Sequence, residues 1–192
     1  MDYDKIDFTM PILVAQKVDI YPGDGKYPFA RTGELSFYHL KKAGAQGILI
    51  GHSEAGESLE EVHAKLQAAF DAGLEKNIVL LGEQWEDLGK PWNELNDDER
   101  SRVKGVVEKK CAKIFENISK EIITHTVVSY EPGWGVRGSG KSDVPPPQPE
   151  QIEEMAKIMR ASLKSQNARI IYGGSMSPER AREIMALENI DG

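Results

Sequence analysis

THTVVSYEP, residues 124–132, carries the pattern on which the fold turns: an apolar, β-rich run without strict polar alternation, closed by a carboxylate, Glu131, and a proline. A strand with one wet face alternates apolar and polar side chains, whereas a strand buried on both faces of a parallel sheet reads as a continuous apolar run. The run 124–130 is therefore expected to be such a strand, with His125 near its start. Four more runs of the same kind are PILVA (11–15), GILIG (47–51), NIVLLG (77–82) and ARIIYGG (168–174).

Helical patterns lie between them. Residues 33–44, GELSFYHLKKAG, put Leu35, Tyr38 and Leu40 near one face and stop at Gly44. Residues 58–72 open on Ser58 and Glu61, a capping box in which each side chain satisfies the other residue's backbone N–H, and end at Gly73. A longer pattern runs over 97–118, with Val103, Val106, Val107, Cys111, Ile114 and Phe115 at helical spacing. Two more fit 149–164 and 178–187, each begun by a proline, whose missing N–H costs little in a first turn. Strand and helix alternate five times, so the class is α/β. PWNELNDDER (91–100) is polar but short, and DVPPPQPE (143–150) is a stiff proline lead into a helix, so residues 1–192 are expected to form one domain.

With 40% hydrophobic and 29% charged residues the chain can bury a sizeable core. A net charge of −7 argues against a nucleic-acid partner, which would need clustered cations. The single cysteine, Cys111, allows neither a disulfide framework nor a Cys-rich zinc site and suits a reducing, cytoplasmic setting. No apolar run approaches the roughly 18 residues of a membrane span, and the first ten residues lack the basic-then-apolar order of a signal peptide.

In folds of this class the chemistry collects at the C-terminal ends of the strands. Here those positions hold Gln16-Lys17, His52-Ser53-Glu54, Glu83, Glu131 and Gly173-Gly174-Ser175. A strand-end histidine at a helix start can stay neutral and polarise a carbonyl; a histidine satisfied by the backbone of its loop gives the same pattern. Glu131 in a closable pocket would have its proton affinity raised by lost hydration, which suits a base that removes a carbon-bound proton; an ordinary strand-end acid is the other reading. The glycine-rich stretch from Gly133 to Gly140 favours the base, because such a loop can exclude water. Gly173-Gly174-Ser175 offers N–H groups for a phosphate dianion, though a double glycine can be only a turn. His39 and His63 within helices, and His125, are read as structural, and the histidines are too scattered for a metal site.

In order along the chain, VAQKVD, RTGE, GHSE, LLGE, YEPGWGVRGSGK and YGGSMSP resemble the triosephosphate isomerase family. The resemblance implies a (β/α)8 barrel, present as a partial barrel of about five βα units, its third to seventh. It implies an aldose–ketose isomerase that interconverts dihydroxyacetone phosphate and glyceraldehyde 3-phosphate in glycolysis and gluconeogenesis, without cofactor or metal. Glu131 would shuttle the proton, His52 would polarise the carbonyl, and Glu54 would orient neighbouring polar groups. Gly138, Gly174 and Ser175 would hold the phosphate, while Thr32 and Glu34 would belong to the loop through which a homodimer forms.

The departures set expectations of their own. The family's Asn-x-Lys motif and eighth strand lie outside the 192 residues, which points to a partial sequence, or to a noncatalytic barrel fragment lacking the lysine. Ala55-Gly56 stands where the family has paired arginines, and Arg31 is a candidate to restore one charge. Lys17 replaces an asparagine and one extra residue lies near Arg137, which keeps open an isomerase of another short sugar phosphate such as a tetrose phosphate.

Overall fold

The computed structural model describes residues 12–16, 18, 35–135, 144–163, 165 and 167–192. Five strands, β1 (Val14–Ala15), β2 (Gly47–Ile50), β3 (Asn77–Leu81), β4 (Thr126–Tyr130) and β5 (Arg169–Tyr172), form one parallel sheet in sequence order. The helices are α1 (Phe37–Lys42), α2 (Leu59–Asp71), α3 (Trp85–Leu88), α4 (Asp97–Ile114), α5 (Lys120–Thr124), α6 (Pro149–Leu163) and α7 (Pro178–Ile184). Strands taken in chain order, each pairing in parallel with the next, make a partial (β/α)8 barrel.

The pleat sorts the strand residues into two faces. Ile48, Ile50, Val79, Val128 and Ile170 point to the helices and are fully buried. Leu49, Ile78 and Val127 share a register row on the other face and are only half-buried. Both faces were expected to be buried; the helix-side face is, while the other face is mixed, with Leu80 and Ser129 buried above that half-buried row. On that side α2, α4 and α6 pack side by side through Leu66, Val103, Val107, Cys111, Met155 and Met159, all fully buried. Outside β5, Asp191 N–H donates to Ile170 O and Tyr172 N–H to Gly192 O, so the last residues run along that strand.

Three helical expectations need correction. The Ser36 hydroxyl caps His39 N–H, so α1 begins at Phe37, and its buried face is Phe37 and Leu40; Leu35 and Tyr38 stand about half exposed, at 52% and 49%. The pattern expected over 97–118 breaks after Ile114, where Asn117 takes a left-handed φ of 58° and Ser119 caps the separate helix α5. His125 is accordingly the C-cap of α5, and β4 starts at Thr126. The local signals otherwise hold: Ser58 and Glu61 form the capping box of α2, and Pro149 and Pro178 open α6 and α7.

Candidate active site

β2 and β4 flank β3, and their C-terminal ends bring His52 and Glu131 together. His52 Nε2 lies 3.6 Å from Glu131 Oε2, too long for a good hydrogen bond and close to van der Waals contact, so the two groups face each other directly. The chain turns after Gly51 into a 3-10 turn, Ser53–Ala55, and this turn aims Glu54 N–H at His52 Nδ1, 3.2 Å away. A ring nitrogen that accepts from a backbone N–H carries no proton itself, so the imidazole proton sits on Nε2, facing Glu131. Glu54 acts here through its N–H, while its side chain is exposed.

Glu131 is 5% exposed, and burial pushes its pKa above the ordinary carboxylate value. His52 and the Ser53 hydrogen bonds oppose that rise, and the negative charge of Glu54 adds to it. The backbone holds the residue from both sides, with Glu131 N–H on Leu81 O at 2.9 Å and Gly173 N–H on Tyr130 O at 3.0 Å. Gly173 lies so close that a Cβ there would stand 3.5 Å from Glu131 Oε2 and well inside 3.0 Å of Ser129 Oγ.

Ser175 and Gly174 follow β5, beside Glu131. Ser175 N–H and hydroxyl both donate to Gly135 O, at 3.2 and 2.9 Å, so an anion at these donors would take the place of that carbonyl. A side chain at Gly174 would collide with the Tyr172 hydroxyl, so only glycine leaves the backbone open there. Gly138, Thr32, Glu34, Arg31, Lys17 and Arg137 lie outside the described residues.

Glu83 was visible as a strand-end acid but without a role. It is fully buried, and its Oε1 accepts from Tyr130 OH (2.9 Å), Trp134 Nε1 (3.1 Å) and Gln151 Nε2 (3.2 Å). Burial raises its pKa, against the pull of a backbone hydrogen bond at Glu83, of the Tyr130 and Trp134 donors and of Lys110. It therefore ties together the end of β4, the chain after Glu131 and the start of α6. Its signal in sequence was the position after β3, between the two strands that carry His52 and Glu131.

The family described as Triosephosphate isomerase matches residues 11–192. Relatives named triosephosphate isomerase include one from Francisella tularensis subsp. mediasiatica (strain FSC147), 33% identical over 187 residues, covering 92% of this chain and 66% of the relative. One from Fusobacterium nucleatum is 32% identical over 181 residues, covering 91% and 66%, and one from Herminiimonas arsenicoxydans is 34% identical over 173 residues, covering 85% and 63%. The chain spans about two thirds of the length of the curated relatives it matches.

Proposed function

The chain belongs to the triosephosphate isomerase family, and from that premise we propose that its site interconverts dihydroxyacetone phosphate and glyceraldehyde 3-phosphate by proton transfer through an enediolate. The observation that carries the proposal is the facing pair, His52 Nε2 and Glu131 Oε2 at 3.6 Å, with the ring tautomer set by Glu54 N–H. Glu131 takes the proton from the carbon next to the carbonyl. His52 donates its Nε2–H bond to the carbonyl oxygen as negative charge develops there, and then protonates that oxygen. The proton held by Glu131 returns to the adjacent carbon, and His52 recovers its own from the other oxygen. No electron leaves the substrate, so the reaction consumes no co-reactant.

The raised pKa of Glu131 fits this work, because a base of higher proton affinity abstracts a carbon-bound proton with less thermodynamic loss. Gly174, Ser175 and Gly138 hold the phosphate, Ser175 by exchanging its bond to Gly135 O for one to the anion. Thr32 and Glu34 belong to a homodimer contact, and the protein works in the cytoplasm on the triose phosphates of glycolysis and gluconeogenesis.

The test follows glyceraldehyde 3-phosphate isomerisation by the wild-type protein beside Glu131→Asp, which withdraws the carboxylate by one methylene. The expected result is a fall in kcat of about 100-fold or more with a much smaller change in KM. Equal turnover by the two proteins, or none by either, rejects the proposal. Faster turnover of a tetrose phosphate by the wild type would reassign the substrate.

A further inference from the structure

We infer that Lys65 is a positioning residue for His52, acting through Glu57; the inference rests on the isomerase reading of the site. The argument starts at Gly51, the residue before His52. Its φ is 81°, and a Cβ there would overlap Leu80 O, so the chain leaves β2 by a turn that only glycine takes without strain. Gly51 N–H donates to Glu57 Oε2 at 2.7 Å instead of to a neighbouring strand. The other carboxylate oxygen, Glu57 Oε1, meets Lys65 Nζ at 2.5 Å. Both side chains are nearly buried, at 13% and 14% exposure, so solvent screens the pair weakly.

These contacts form a chain of three links from α2 to the imidazole. Lys65 holds Glu57, Glu57 holds the backbone at Gly51, and the turn from Gly51 places both His52 and the Glu54 N–H that fixes its ring. Among the described residues Lys65 is the cation at Glu57. Without it the carboxylate would be a nearly buried charge with no counter-ion among the described residues, a costly state that it escapes by taking a proton or turning outward. The outward route is open. A cavity of about 470 Å³, lined by His52, Glu54, Glu57 and Lys65 among others, lies beside it. Either route weakens or breaks the bond to Gly51 N–H. The consequence falls on the geometry of His52, through the backbone at Gly51.

The arrangement also supplies a positive charge to a loop that carries Ala55-Gly56 in place of arginines. Arg31, the other candidate for that role, lies outside the described residues.

The experiment compares the wild type with Lys65→Met, Lys65→Gln and Lys65→Arg. It measures kcat and KM for isomerisation, thermal unfolding, and the ring ¹⁵N signals of His52, assigned with His52→Gln. Removal of the charge is expected to lower kcat about 10- to 100-fold, the range for a sub-ångström to 1 Å displacement, with KM within about twofold. The His52 signals move in Lys65→Met and Lys65→Gln, and Lys65→Arg restores both signals and rate. An unchanged kcat and unchanged His52 signals in the charge-free variants overturn the inference, even if unfolding comes earlier, because that outcome is what packing alone would give. Should Lys65→Met fail to fold, Lys65→Gln, which is one atom shorter than lysine but keeps a donor, decides. A wild type without isomerase activity would refute the isomerase reading, and the His52 signals would still decide whether Lys65 places the ring.

Discussion

Replacing Gly173 with alanine should strike stability and catalysis together, and a second substitution should undo much of the damage. The added Cβ would lie inside 3.0 Å of Ser129 Oγ, so the atoms must part by more than 0.4 Å to reach ordinary contact at 3.4 Å. Ser129 is 1% exposed on a strand paired on both sides, and cannot retreat freely. Overpacking of this kind costs about 1–3 kcal/mol. For a chain of this length that lowers Tm by roughly 2–4 °C per kcal/mol. The same Cβ meets Glu131 Oε2 at 3.5 Å and Glu131 Cβ at 3.7 Å, ordinary contacts, so it is the parting of β4 from Gly173 to relieve the Ser129 clash that carries the carboxylate away. If the displacement approaches 1 Å, kcat falls on the order of 100-fold. Ser129→Ala removes the obstructing oxygen, which is buried without a hydrogen-bond partner among the described residues, so that change alone should be close to neutral. The assay is a double-mutant cycle in Tm and kcat. Gly173→Ala with wild-type stability would refute the reasoning, as would a double variant no better than Gly173→Ala.

Two further outcomes follow from the raised carboxyl groups. The ¹³C signal of the Glu131 carboxyl should titrate with a midpoint above 4.5, and Glu54→Gln should lower that midpoint by removing a repelling charge; a midpoint at or below 4.5 contradicts the site geometry. Glu83 is raised in the fold, so its folded state binds a proton that the unfolded chain has released; its favourable contribution is complete below pH 4.5 and is lost as pH climbs through the folded value. The urea midpoint of the wild type should therefore fall relative to that of Glu83→Gln as pH rises from about 4.5, and a rise in that difference would reject the assignment.

What could be read from sequence was what local chemistry dictates. Ser58 and Glu61 lie three apart and need only each other, so the start of α2 was legible. Each strand-end residue was legible in the same way, because a polar residue after an apolar run marks its place. The break after Ile114 was not, since an asparagine rather than a glycine or proline takes the left-handed turn at position 117. Four residues are too few to show a helical period, which hid α3. The face of α1 was misjudged because the cap at Ser36 places Leu35 before the helix. Distances between strands are a property of sheet curvature, so the meeting of His52 with Glu131 could not be read from either motif. Glu57 lies outside α2 and Lys65 within it, eight positions apart, a separation that no helical rule connects.

The bonds converging on one oxygen of Glu83 restrict how this sequence can drift. Replacing Glu83 by an apolar residue would strand the Tyr130 hydroxyl proton and take one acceptor from Trp134 and from Gln151, whose amide keeps Tyr130 OH at 3.3 Å, and an unmet buried donor costs about 1–3 kcal/mol. Changing one donor alone leaves a carboxylate with fewer partners in the same dry place. Substitutions at these four positions are thus coupled, each raising or lowering the cost of the next. A homologue that has lost the acid should have changed its phenol, indole and amide as well, and a library that randomises the four positions together should recover combinations that stepwise mutagenesis would miss.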